Sequence, residues 1–135
     1  MKTIIKNSLI CLSLTLLIAC NGYGKKLKFN DTEVYYTSNI DKSDAEKLGA
    51  YLVKTEFTNG EKSIQLTKNT KTNRFIFRMV TTKEASTNKS YETIFKIFAK
   101  QISDSVFNKQ PVDFHVCDNT FTTIKELPFK EDILK

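Results

Sequence analysis

"SYETIFKIFAKQISDSVFNKQPVDFHVCDN", residues 90–119, decides the fold, because the hydrophobic period changes within it. From Tyr91, the apolar side chains of Ile94, Phe95, Phe98, Ile102 and Val106 recur at spacings of three and four, the repeat of one helical face. Residues Ser86–Ser90 (STNKS) supply side chains able to cap its start. Pro111 then opens PVDFHVC, where Val112, Phe114 and Val116 alternate with Asp113, His115 and Cys117, the pattern of a strand buried on one side. A helix leading directly into such a strand implies a sheet with helices laid on it.

The flanking sequence repeats the arrangement. TEVYYT (32–37) is rich in β-branched and aromatic residues and reads as a strand. In DKSDAEKLGAYLVKTEF (41–57), Ser43 and Glu46 have the spacing of a capping box, and Ala45, Leu48 and Leu52 share a helical face. SIQLT (63–67) and RFIFRMV (74–80) read as a hairpin around the polar turn KNTKTN. FTTIKEL (121–127) reads as a last strand, which Pro128 ends, leaving 128–135 as a frayed or loosely docked tail.

The expected class is α+β: two helices on one face of a mainly antiparallel sheet, in the order βαββαβ with an extra β, and a ferredoxin-like topology. An offset of fifty residues lays Leu48 on Phe98, Leu52 on Ile102, Phe57 on Phe107, Ile64 on Phe114 and Leu66 on Val116. That match reads either as two similar βαβ halves or as a coincidence of like elements.

The first twenty residues have a different character. Lys2 and Lys6 precede the short apolar run Ser8–Ile18 (SLICLSLTLLI), which falls short of the roughly 20 residues that span a bilayer. A basic start, a short apolar run and a small residue at its end are the marks of an export signal. The run closes on Leu17, Ile18, Ala19 and Cys20, and this LIAC resembles the lipobox of bacterial lipoproteins. The resemblance implies removal of 1–19 and attachment of lipid to Cys20, so membrane lipid is an expected partner. Two or three acyl chains, at roughly 0.8 kcal/mol per buried methylene, would make a stable anchor. The expected organisation is a signal peptide at 1–19, a lipidated cysteine and tether at 20–28 (CNGYGKKLK), one domain at 29–127, and the tail. Lys25, Lys26 and Lys28 either meet lipid phosphates or simply solvate the leash. Asn21 after the cysteine is not the aspartate that resembles an inner-membrane retention signal. The expected location is therefore the cell envelope: the outer membrane of a two-membrane cell, otherwise the external face of the cell membrane.

Of 135 residues, 116 remain after such cleavage, a single-domain length. The chain has 21 basic and 15 acidic residues, and two lysines leave with the signal, so the remainder carries 19 against 15, a formal +4. That mild excess does not mark a nucleic-acid binder, and an exported chain would not meet nucleic acid. Cys11 leaves and Cys20 becomes a thioether, so Cys117 is the remaining thiol and has no partner for an internal disulfide.

No GxSxG, HExxH, phosphate loop or paired-cysteine motif occurs in the sequence. His115 and Cys117 stand two apart on a strand, about 6.6–6.8 Å along it, too far for a thiol–imidazole pair. Neither a metal nor a cofactor is expected, and no catalytic residue is assigned. The candidate binding face is the side of the sheet away from the helices, where alternation sets Tyr35, Arg74, Arg78 and His115. The ferredoxin-like order puts Tyr35, Arg78 and His115 in one row, and the only two arginines share its face, where a planar fork can grip a carboxylate or phosphate.

Through FNDTEVYYT, LGAYLV and VDFHVCDNTF, residues 27–127 also resemble a small α+β module of bacterial membrane-linked proteins. That resemblance implies no activity. The functional expectation is a membrane-anchored, non-enzymatic lipoprotein whose domain binds another envelope component. The alternatives are an immunity-like or inhibitor lipoprotein, or an anchored enzyme whose site the sequence does not display.

Overall fold

Among the described residues six segments become strands, five of them with an apolar residue at every second position, and they pair in the order in which they follow along the chain. The computed structural model describes residues 22–133, and the expected signal with Cys20 lies outside them. Its strands are β1 (Lys25–Phe29), β2 (Thr32–Tyr36), β3 (Lys62–Lys68), β4 (Phe75–Val80), β5 (Val112–Cys117) and β6 (Thr123–Leu127), in one sheet ordered β1-β2-β3-β4-β5-β6. The β1–β2, β3–β4 and β5–β6 pairs are antiparallel, whereas β2–β3 and β4–β5 are parallel. Helix α1 (Lys42–Lys54) forms the first parallel crossover, and a short α2 (Lys83–Thr87) with α3 (Lys89–Val106) forms the second.

The α+β class is as expected, the mixed sheet has more antiparallel than parallel pairs, and two details differ: there are three helices among the described residues, and the strand order is not ferredoxin-like. In a ferredoxin-like order the TEVYY strand would lie between β4 and β5. Here one edge of β2 is taken by β1, whose first four residues fall in the expected tether. β1 folds onto β2 through Asn30–Asp31, with Asn30 at φ 53°, a conformation that Asn tolerates better than most residues. The pattern behind β1 is Leu27 and Phe29, two apart among lysines: both pack against the core while the lysines stay out.

The two long helices, α1 and α3, pack on the same sheet face. Phe29 lies against Gly49 of α1, so closely that a Cβ there would come within 2.0 Å of the ring. Phe95 and Phe98 of α3 pack on Phe114 and Phe77, whose register through Leu66, Ile64 and Val34 places them on the side of Leu27 and Phe29. This has a topological consequence. β2 and β3 run one way, β4 and β5 the other, yet both crossovers step the same way across the sheet. With the helices on one face, the two βαβ units have opposite hands, so one is left-handed, the hand of about 2% of such connections. The fifty-residue offset does align α1 with α3, β3 with β5 and β4 with β6. Units of opposite hand cannot be superposed by any rotation, so the offset is not a structural duplication.

The core is aromatic at its centre. Phe95 stacks on Phe114 at 4.6 Å, Phe57 on Phe98 at 5.0 Å and Phe75 on Phe107 at 3.9 Å. The buried face of α3 centres on Phe95, Ala99 and Ile102; Phe98 and Val106 are half-buried, and Tyr91 and Ile94 of the expected stripe are exposed. The Ser43–Glu46 capping box does not form, since the N-cap of α1 is Asp41. Asn88 caps α3 by accepting from the Ser90 amide at 2.8 Å. The tail docks in part: the Phe129 amide donates to Asp113 Oδ1 at 2.8 Å, and Glu131 lies 3.4 Å from Lys100.

Candidate binding face

Cross-strand register aligns Lys26, Tyr35, Gln65, Arg78, His115 and Glu126 in one row on the face opposite the helices. The expected row is therefore present in a different order. Gln65 separates Tyr35 from Arg78, and the three steps from Tyr35 to His115 span about 14 Å. Arg74 lies nearer the end of this face and donates to Asp113 Oδ1 at 2.7 Å.

The face is not a bare solvated surface. Tyr35 is 7% exposed, Phe121 6% and Cys117 0%, and together with Tyr23 and Val80 they make a second, smaller apolar cluster. Two chain segments build it. Before β1, Gly24 at φ 98° presses against the Tyr36 carbonyl, where a Cβ would meet the oxygen at 2.3 Å. This turn brings Tyr23 back over the sheet, edge-on to Tyr35 at 5.7 Å and to Phe121 at 5.0 Å, and its carbonyl accepts from Gln65 Nε2 at 2.9 Å. Between β5 and β6, Asp118 Oδ1 accepts from the Thr120 and Thr122 amides and the Thr120 hydroxyl. Those bonds, led by the hydroxyl, hold its carboxyl below the usual range. The turn they close carries Phe121 at φ 58°, costly for a bulky residue.

Arg78 ties the pieces together. One Nη donates to Gln65 Oε1, and the other to the Phe121 carbonyl and to Thr123 Oγ1. Its fork thus joins β3, the loop after β5, and β6. The partners are neutral, whereas Arg74 has a carboxylate. Thr123 Oγ1 also lies 3.4 Å from His115 Nδ1 and 4.0 Å from Cys117 Sγ.

Burial sets the protonation of both groups. It lowers the His115 pKa, with Glu126 opposing and Arg78 adding to the drop, and it raises the Cys117 thiol against the pull of Arg78. Imidazole and thiol are therefore both held in their neutral forms, the opposite of the thiolate–imidazolium pair of a nucleophilic cysteine. At the outer edge, Glu33 accepts from Lys26 at 3.0 Å and from the Tyr35 hydroxyl at 2.9 Å, which keeps its carboxyl below the usual range. Among the described residues no group of three or more His, Cys, Asp or Glu side chains is arranged to hold a metal ion. No helix among them is long and apolar enough to cross a membrane.

Four residues of this face had escaped the sequence reading: Tyr23, Gln65, Phe121 and Thr123. The signal for Phe121 was Asp118 followed by Thr120 and Thr122, the spacing of an Asx turn. Nothing local marks Tyr23, whose place depends on contacts with residues far along the chain. Residues 26–127 match a family described as a family N-terminal domain. The chain belongs to that family. The match spans all six strands, with β1 from its second residue onward. No curated protein and no solved structure matches the chain.

Proposed function

We propose that this family member is a membrane-anchored envelope lipoprotein, lipidated at Cys20, whose domain binds another envelope protein. The observation that carries the anchor is the position of the first docked side chain. Tyr23, three residues after the lipobox-like cysteine, is already packed into the fold. Cleavage before Cys20 would therefore leave every described element whole. The envelope location follows from that anchor, in the outer membrane of a two-membrane cell or on the external face of a single one.

Surface chemistry favours binding. On the helix side, Ile94 (55% exposed) lines a groove of about 290 Å³ walled by Phe57, Met79, Phe95 and Phe98, and the exposed Tyr91 stacks on Phe95. Apolar surface left contiguous in water marks a contact site. Its occupant in this reading is an apolar side chain of a second envelope protein, because the groove opens on the layer opposite the anchored end. Arg78, with its donors committed within the domain, is a poorer candidate for contact.

The test has two parts. Cys20→Ser should abolish incorporation of labelled fatty acid in cells, and continued labelling refutes the anchor. Ile94→Asp should lose the membrane-crosslinked partner that the wild-type protein retains, with lipidation and unfolding midpoint kept. Equal capture of the same partner refutes the groove.

A further inference from the structure

The packing of Tyr23 has a consequence for how the domain sits, one that rests on the lipid anchor proposed at Cys20. A flexible leash of the nine residues 20–28 would let the domain tumble above the membrane. The structure shortens it. Lys25–Phe29 is strand, Gly24 is wedged against the Tyr36 carbonyl, and Tyr23 is held by two ring contacts and by the bond from Gln65. Only Asn21 and Gly22 separate Cys20 from this docked residue. Three backbone steps reach at most about 11 Å even fully extended.

The place where the chain leaves the fold sets the direction. Tyr23 lies over the face opposite the helices, between Tyr35 and Phe121, so the chain joins the described fold over that face. We infer that the domain rides on a lipid surface with this face and the β1 edge toward the headgroups, and with the helix layer turned to the aqueous side. A helix is about 10–12 Å across, so with the sheet beneath it the outer surface of α1 stands roughly 15–20 Å farther from the lipid.

Lys26 and Lys28, with Glu33 paired to Lys26 on the same face, leave one net positive charge near the exit, which suits an anionic headgroup layer. Lys26 and Lys28 project from β1 on the same side as Tyr35, and both are exposed. A surface potential that fades over about 8–10 Å acts on charges held this close and is small at the far side of the domain. The loop tip at Asn119–Thr120, beside Phe121, is likewise exposed on the side of the anchor. The same placement turns the apolar groove beside Ile94 away from the membrane.

The experiment uses the full, lipidated chain in vesicles of phosphatidylethanolamine and phosphatidylglycerol that carry a nitroxide on the headgroup. A fluorophore is attached in separate Cys117→Ala proteins at Lys28→Cys, Asn119→Cys or Ala50→Cys, the last on the outer surface of α1. Headgroup quenching at positions 28 and 119 should exceed that at 50 by about threefold or more, given the separation of the two surfaces. Inserting twelve Gly and Ser residues between Asn21 and Gly22 lengthens the mean reach to about 20 Å. The contrast should then collapse while the protein still floats with the vesicles. Vesicle-bound protein with equal quenching at all three positions, before any insertion, overturns the orientation. Protein that does not float with the vesicles overturns the anchor itself, which separates the two failures.

Discussion

Removing the Arg78 fork should destabilise the domain more than loss of a surface charge would. The side chain is half-buried and makes three hydrogen bonds, to Gln65, to the Phe121 carbonyl and to Thr123. Arg78→Ala leaves the Gln65 amide oxygen and the Phe121 carbonyl without their donor in a partly dry site. A hydrogen bond with a charged partner contributes about 1.5–3 kcal/mol, and stranding a buried acceptor costs about 1–3 kcal/mol. Since the bonds share one side chain and the site can admit some water, the combined loss is about 2–4 kcal/mol. For a domain of this size that corresponds to a fall of roughly 10 °C in Tm. Urea unfolding of the Cys20→Ser protein measures it. Arg78→Lys, which keeps the charge and loses the fork, should fall between the two. A loss below about 1 kcal/mol for Arg78→Ala would refute the reasoning, because the covering loop would then hold itself in place.

Glu92 accepts from Lys125 and Lys96, and these bonds take its carboxyl down to about 2. A depressed carboxyl pKa contributes stability that is full above its unfolded value near 4.5 and is lost as pH falls through about 2, so Glu92→Gln should lower stability at neutral pH and the difference from wild type should vanish as pH falls through that value. Cys117, fully buried and with its thiol pushed up, should resist alkylation at pH 8 in the native protein and react at the rate of unfolding; fast native labelling would show that the cluster opens. Phe95→Ala should cost about 3–5 kcal/mol in denaturant unfolding and Phe98→Ala distinctly less, because Phe95 is buried and Phe98 only half-buried; the reverse order would displace the centre of the core.

What could be read from the chain alone follows the range of the interactions involved. Alternation is local, so Val112–Cys117, Phe75–Val80 and Thr32–Tyr36 were legible as strands, and the sharing of a face by Tyr35, Arg78 and His115 followed with them. Strand order is not local. Whether the far edge of β2 is free or taken depends on five residues, and their three lysines made them look like solvent-bound leash. Leu27 and Phe29 give only one repeat of the period, too little to outweigh that composition. The same limit hid the cover on the opposite face. Tyr23 and Phe121 are far apart in sequence, yet they pack edge-on against each other and against Tyr35.

The two covering segments share one feature that bears on function. Tyr23 lies two residues before the first strand and Phe121 two before the last, so the segments that lead into both edges of the sheet meet over its middle. Gln65 and Arg78, neighbours in the row, each bind one of them through a backbone carbonyl, Tyr23 and Phe121 respectively. Arg78 also donates to Gln65, which fixes the amide so that its nitrogen faces Tyr23. A change at Arg78 therefore reaches the N-terminal strap through a single intervening side chain. If Cys20 carries lipid, that chain of bonds couples the fold to its anchor. Loosening Arg78 would free Tyr23, lengthen the leash and release the domain from its fixed attitude before it unfolds. With such an anchor, the arginine best placed to look like a ligand-binding residue would instead set which side of the domain faces the membrane, and the apolar groove beside Ile94 would be left as the surface presented to a partner.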